Sequence, residues 1–203
     1  PMFVMLLVYF GAGRPTARHL RRLMSPWAIW SVVYAVMKIG QSVVDGTPLS
    51  AEFEPWMLLT GTSLHLWFLP FSFLFLVVSS ALFASISLSV LWGAAVAASL
   101  LSYWAFVAFD LPIPLVQWAT VVPAAFAGLL MQRSRSPAVP AAVLGGACFL
   151  AVALGFERMN LQLAIAGLAV ALVMAIRLPQ TKATDFMSNV SFGMYLVHPA
   201  AIA

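Results

Sequence analysis

Charge is scarce in this chain. Of its 203 residues only 8% are Asp, Glu, Lys or Arg, 63% are hydrophobic, and the mean hydropathy is +1.01. Soluble domains carry roughly 25% charged residues, so a water-solvated fold is excluded and the chain reads as an integral membrane protein. A single cysteine, Cys148, excludes an intrachain disulfide, and its apolar setting makes it a small packing residue. The three histidines, His19, His65 and His198, have no paired spacing such as H-E-x-x-H, so no metal site is indicated. Period-two alternation is missing, which argues against an outer-membrane barrel. The runs G-x-x-x-x-G-K-[ST] and G-x-S-x-G are missing too, against a P-loop ATPase or a serine-hydrolase elbow. The net charge of +4 has no aromatic-interleaved soluble surface, so nucleic acid is not a partner. No fixed-period repeat or low-complexity linker divides residues 1–203, which read as one membrane domain.

What remains is a set of apolar runs. Runs and breakers predict an all-α, polytopic helical bundle of about eight transmembrane segments near 1–10, 26–43, 65–82, 84–108, 115–131, 138–155, 161–176 and 187–203. The first and last are cut short, since a spanning helix needs about 20 residues. Pro1 opens directly into the run Met2 to Phe10, and Pro199 to Ala203 end inside another. The expectation is therefore a fragment lacking an upstream helix. The split between the third and fourth segments falls at an uncharged turn near 82–84, placed there because 65–108 is about twice a bilayer crossing.

Charge orients these segments. Arg14, Arg18, Arg21 and Arg22 follow the first; Arg133 and Arg135 lie near 132–137; Arg177 and Lys182 lie at 177–186. All three loops fall on one side of an eight-segment bundle, and the positive-inside rule makes that side cytoplasmic. Asp45, Glu52, Glu54, Asp110 and the pair Glu157-Arg158 fall opposite. Lys38 lies near the outer end of its segment, where it can snorkel.

Three polar features stand out against the lipid. Ser188, Ser191, Tyr195 and His198 step by three, four and three residues, so they share one helical face. Such a stripe faces a bundle interior, a water path or a substrate; the plainer reading is a histidine that locks helix packing. A second feature, Thr60 to Pro70, carries His65 and Trp67 at the outer side. An interfacial aromatic belt accounts for Trp67 equally well. Thirdly, Arg18, Arg21 and Arg22 share a face leading into Pro26-Trp27. Guanidinium forks suit phosphates, while topology and lipid headgroups require only their charge. A transporter, with the stripe lining a permeation path, or a structural membrane subunit stay open as alternatives.

The order of these pieces resembles the membrane-bound acyltransferase 3 family, whose members O-acylate sugars and other extracytoplasmic acceptors. Pro1 to Phe10 looks like the family's second helix, with Leu7-Val8 where the family has Ser-Gly. Arg21 to Ser31 is similar to its basic loop and Pro-aromatic helix opening. His65-Leu66-Trp67-Phe68-Leu69-Pro70 matches its His-x-Trp-Phe-Leu signature. Ser191 to His198 matches its Ser-Tyr-x-Ile-Tyr-Leu-x-His ending, with Phe192 at the tyrosine. The resemblance implies a bacterial inner-membrane O-acyltransferase with no bound cofactor. Its donor substrate would be an acyl-CoA, for example acetyl-CoA, held from the cytoplasm by Arg18, Arg21 and Arg22. The acceptor would be a carbohydrate or glycolipid, approaching from outside near Trp67 and Ser191. It also implies ten helices in family members and a catalytic base on the first, upstream of Pro1. His65, Tyr195 and His198 become supporting groups, and the fragment alone is expected to be inactive.

Overall fold

The computed structural model describes residues 1–13, 16–83, 85–136, 138–154 and 157–175, and the account below concerns these. They form helices joined by short connections, with no strand among the described residues. The order is α1 Met2–Gly11, α2 Thr16–His19, a π-helical turn Leu20–Met24, α3 Ser25–Asp45, α4 Leu49–Glu52 and α5 Met57–Thr60. A 3₁₀ turn Leu64–Trp67 then leads into α6 Phe68–Leu82, followed by α7 Leu88–Ala108, α8 Leu115–Ser134, α9 Ala138–Leu154 and α10 Glu157–Ala175. Four stretches are long and apolar enough to cross a membrane, Thr16–Asp45, His65–Leu82, Leu88–Ala108 and Leu115–Ser134. The molecule is a membrane helical bundle. Seven of the eight expected segments coincide with helices, and the eighth, 187–203, lies outside the described residues.

Three boundaries differ from the sequence reading. The basic stretch after α1 is helical rather than a loop: α2 runs through the π-helical turn Leu20–Met24 into α3, whose first turn holds Pro26. Arg18, Arg21 and Arg22 therefore stand on successive helical turns. α10 begins at Glu157, within what the sequence reading took for a loop. The uncharged turn between α6 and α7 lies at 83–87, where Ser87 caps α7 by accepting from the Val90 N–H at 3.4 Å.

α8 is the hub. Its buried stretch Ala124, Ala125, Phe126, Ala127, Gly128 packs against α1, α7 and α9. Lipid removes the hydrophobic drive between helices, so small residues that let backbones approach supply the packing. At Gly128 a Cβ would stand 2.3 Å from the Met5 carbonyl oxygen; only glycine lets α1 seat there. Fully buried Met5 and Val8 complete that crossing.

One end of the bundle collects the basic segments. Gly13 lies beside Gln132, since a Cβ there would be 3.8 Å from Nε2. Arg133 donates from Nη1 to the Phe83 carbonyl and from Nη2 to the Ile86 carbonyl, both at 2.8 Å. The end of α1, the α6–α7 turn and the end of α8 thus share one side. The third basic stretch, 177–186, lies outside the described residues.

Candidate active site

α3 brings the first half of the site. Trp27, Ser31, Tyr34 and Lys38 step by four, three and four residues and so share one face. Ile29, Val32, Val36 and Val43 are exposed on the other side, as lipid-facing residues should be. Tyr34 is buried and tilts against Trp30, with ring centroids 5.9 Å apart. The sequence reading passed over this stripe. Its signal was present, since three polar-tipped side chains after Trp27 recur at helical spacing in an apolar run.

The second half is a sharp corner after α5. Gly61 has φ 82° and ψ 173°, a region that glycine alone adopts without strain. Its bare Cα presses on α3: a Cβ would stand 2.4 Å from Ser31 Oγ and 3.1 Å from Trp27 Nε1. Two hydroxyls fasten the corner. The fully buried Thr60 donates to the Gly61 carbonyl at 2.8 Å, and Thr62 donates to the Ser31 carbonyl on α3. The chain then turns into Leu64–Trp67 and delivers His65.

His65 is held from two sides. Ser63 Oγ lies 2.8 Å from His65 Nδ1, and the Tyr34 ring meets the imidazole edge-on, 5.0 Å between centroids at 80°. A serine hydroxyl can donate or accept, so this contact orients the ring without choosing its tautomer. Trp67, two residues on, packs on Phe71 at 6.3 Å. Buried beside this corner, Trp27 Nε1 and Ser31 Oγ have no hydrogen-bond partner among the described residues. Further along α6 and α8, Ser72 Oγ, Gln117 Oε1 and Trp118 Nε1 are in the same condition. Such groups are uncommon in folded proteins and costly in lipid.

The other predicted residues divide. Arg18, Arg21 and Arg22 are exposed at the basic end, and Arg22 precedes Trp27 by about 7 Å of helical rise. One continuous helical stretch therefore runs from the arginines to the aromatic wall of the His65 corner. Ser188, Ser191, Tyr195 and His198 lie outside the described residues.

Chemically, the corner presents an imidazole, a group that can exchange a proton with a hydroxyl, and the basic end presents guanidinium forks. A family profile described as an acyltransferase domain matches residues 1–203. The chain belongs to the acyltransferase 3 family. Acyltransferase activity follows from that membership, and the His-x-Trp-Phe-Leu block falls on the 3₁₀ turn that carries His65. No curated protein and no solved structure matches the chain.

Proposed function

We propose that the protein moves an acyl group from an acyl-CoA-type donor to a hydroxyl of an extracytoplasmic carbohydrate or similar acceptor, in a bacterial inner membrane whose cytoplasmic side is the basic end. The observation that carries this reading is the single helical stretch Thr16–Asp45, which bears Arg18, Arg21 and Arg22 at one end and walls the His65 corner with Trp27, Ser31 and Tyr34 further along. Donor and acceptor chemistry need two stations, one cationic and one able to handle a hydroxyl proton. The rise from Arg22 to Tyr34, which links the two stations, is about 18 Å.

In this reading Arg18, Arg21 and Arg22 hold the donor's phosphates, a job suited to forked, charge-assisted hydrogen bonds. His65 supports the acceptor hydroxyl or the oxyanion that forms as the acyl carbon turns tetrahedral, and Trp67 lies on the acceptor side. Ser191, Tyr195 and His198 are assigned to the same station by their match to the family's ending. Removing one preorganised donor to an oxyanion costs roughly 10²–10³ in rate.

The full-length protein in sealed vesicles tests this. Acetyl-CoA supplied on the basic side should bind, and labelled acetyl groups should appear in envelope carbohydrate on the other. Replacing Arg18, Arg21 and Arg22 by Gln should raise the KM for acetyl-CoA, whereas His65→Ala should lower kcat. Absence of both acyl-CoA binding and acyl transfer in the wild type would end the proposal.

A further inference from the structure

A second feature lies away from the His65 corner. A cavity of about 260 Å³ opens between α7, α8, α9 and α10. Apart from Ser99, Tyr103 and the indole of Trp92, its lining is aliphatic or phenyl. The Ser99 hydroxyl is turned to its own helix and donates to the Ala95 carbonyl at 2.7 Å. The rim residues Val96, Leu100 and Phe149 are 54%, 51% and 71% exposed, so this slot opens sideways onto an apolar surface formed by α7, a membrane-crossing helix, and α9.

Its length and direction are specific. On α7 the lining runs from Trp92 to Tyr103, about 16 Å along the helix. The hydrocarbon core of a bilayer is about 30 Å thick, so the slot matches one leaflet and lies parallel to lipid chains. Leu130 marks its end on α8, and Arg133 follows three residues later on the same face of that helix. The two carbonyl bonds from Arg133 to the α6–α7 turn keep its guanidinium at that end. Arg135 stands exposed beside it, and neither 83–87 nor 132–138 contains an acid.

We propose that this slot is a binding site for one acyl chain of an anionic phospholipid from the leaflet on the basic side, with the lipid phosphate at Arg133 and Arg135. Water is a poor occupant, because a cavity with so few polar groups offers it too few partners. Hydrocarbon is the medium at the rim, and the fixed cation at the slot's end selects a headgroup of opposite sign. The site is independent of the acyl-transfer reading, since it shares no residue with the His65 corner or with Arg18, Arg21 and Arg22.

Gly146 gives a clean test. It lines the slot, and a Cβ added there meets nothing within 4 Å, so a larger side chain fills the space without a clash. Full-length protein purified in mild detergent is extracted and its retained phospholipids are measured against the bulk membrane. The wild type should be enriched in anionic species, and Gly146→Leu should lower that retention several-fold. Gly93→Leu serves as control, because Gly93 also meets nothing within 4 Å but does not line the slot. Ser99→Leu fills the slot from the facing helix and covers the case in which Gly146→Leu fails to fold. Arg135→Gln should weaken the preference for anionic over zwitterionic lipid while leaving total retention near wild type. The proposal is overturned if the wild type retains lipid only in bulk proportion, if both filling variants retain as much as Gly93→Leu, or if long-chain acyl-CoA displaces the lipid.

Discussion

Gly61 carries more of the site than any side chain near it. Its backbone occupies a region worth roughly 1–3 kcal/mol of strain to other residues, and its missing Cβ is what lets the corner close on Ser31 and Trp27. Gly61→Ala should therefore lower the unfolding temperature and nearly abolish acyl transfer. Adding Ser31→Ala relieves the contact with Ser31 Oγ but neither those with Leu66 and Trp27 nor the dihedral strain, so the double variant should recover partially. Full recovery, or none, in a thermal melt would count against this division. Ser63 poses a subtler case. Ser63→Ala removes the contact to His65 Nδ1, worth roughly 0.5–1.5 kcal/mol, while Ser63→Thr keeps a hydroxyl at the same place. Nitrogen shifts of labelled imidazoles read the tautomer directly, and with three histidines the His65 signal is assignable by His65→Gln. A shift of the His65 signal in Ser63→Ala that Ser63→Thr restores is the expected pattern. None of this was legible beforehand: His65 and Trp67 could be read from their block, but a positive φ four residues upstream leaves no mark beyond a glycine.

At the scale of helices, two glycines separate two effects. Gly93 on α7 has open space around it, so Gly93→Ala should stabilise the helix by about 0.5–1 kcal/mol. Gly128 on α8 touches the Met5 carbonyl, and overpacking of that kind costs roughly 1–3 kcal/mol. Opposite shifts of the melting temperature in detergent are expected, and shifts of the same sign would show that α1 does not seat on α8 as described. The existence of these helices was readable because apolar length leaves few alternatives in a bilayer. Their ends were not, for a physical reason. Charge near 16–24 was read as loop, yet long charged side chains on a terminal turn can reach water while the backbone stays helical. The stripe Trp27, Ser31, Tyr34, Lys38 escaped for the opposite reason, since tryptophan and tyrosine count as apolar in a hydropathy scan.

For the molecule as a whole, the side to which each connection belongs is open to measurement. With Cys148 replaced by Ala, single cysteines at Thr16, Ser85 or Thr47 report on separate connections, all three positions being exposed. A membrane-impermeant maleimide should label the first two from one side of a sealed vesicle and the third from the other. Labelling of Thr16→Cys and Ser85→Cys from different sides would break the shared basic end. That end also bears on how the protein is made. The turn between α6 and α7 has no charge of its own, and the arginine that clasps it stands 47 residues beyond Ile86. The clasp cannot exist until α7 and α8 have both left the ribosome. During synthesis, then, the α6–α7 hairpin enters the bilayer with no topological signal in its own turn. A ribosome stalled before Arg133 would leave that turn without its clasp, and the orientation of the hairpin would rest on the upstream arginines alone.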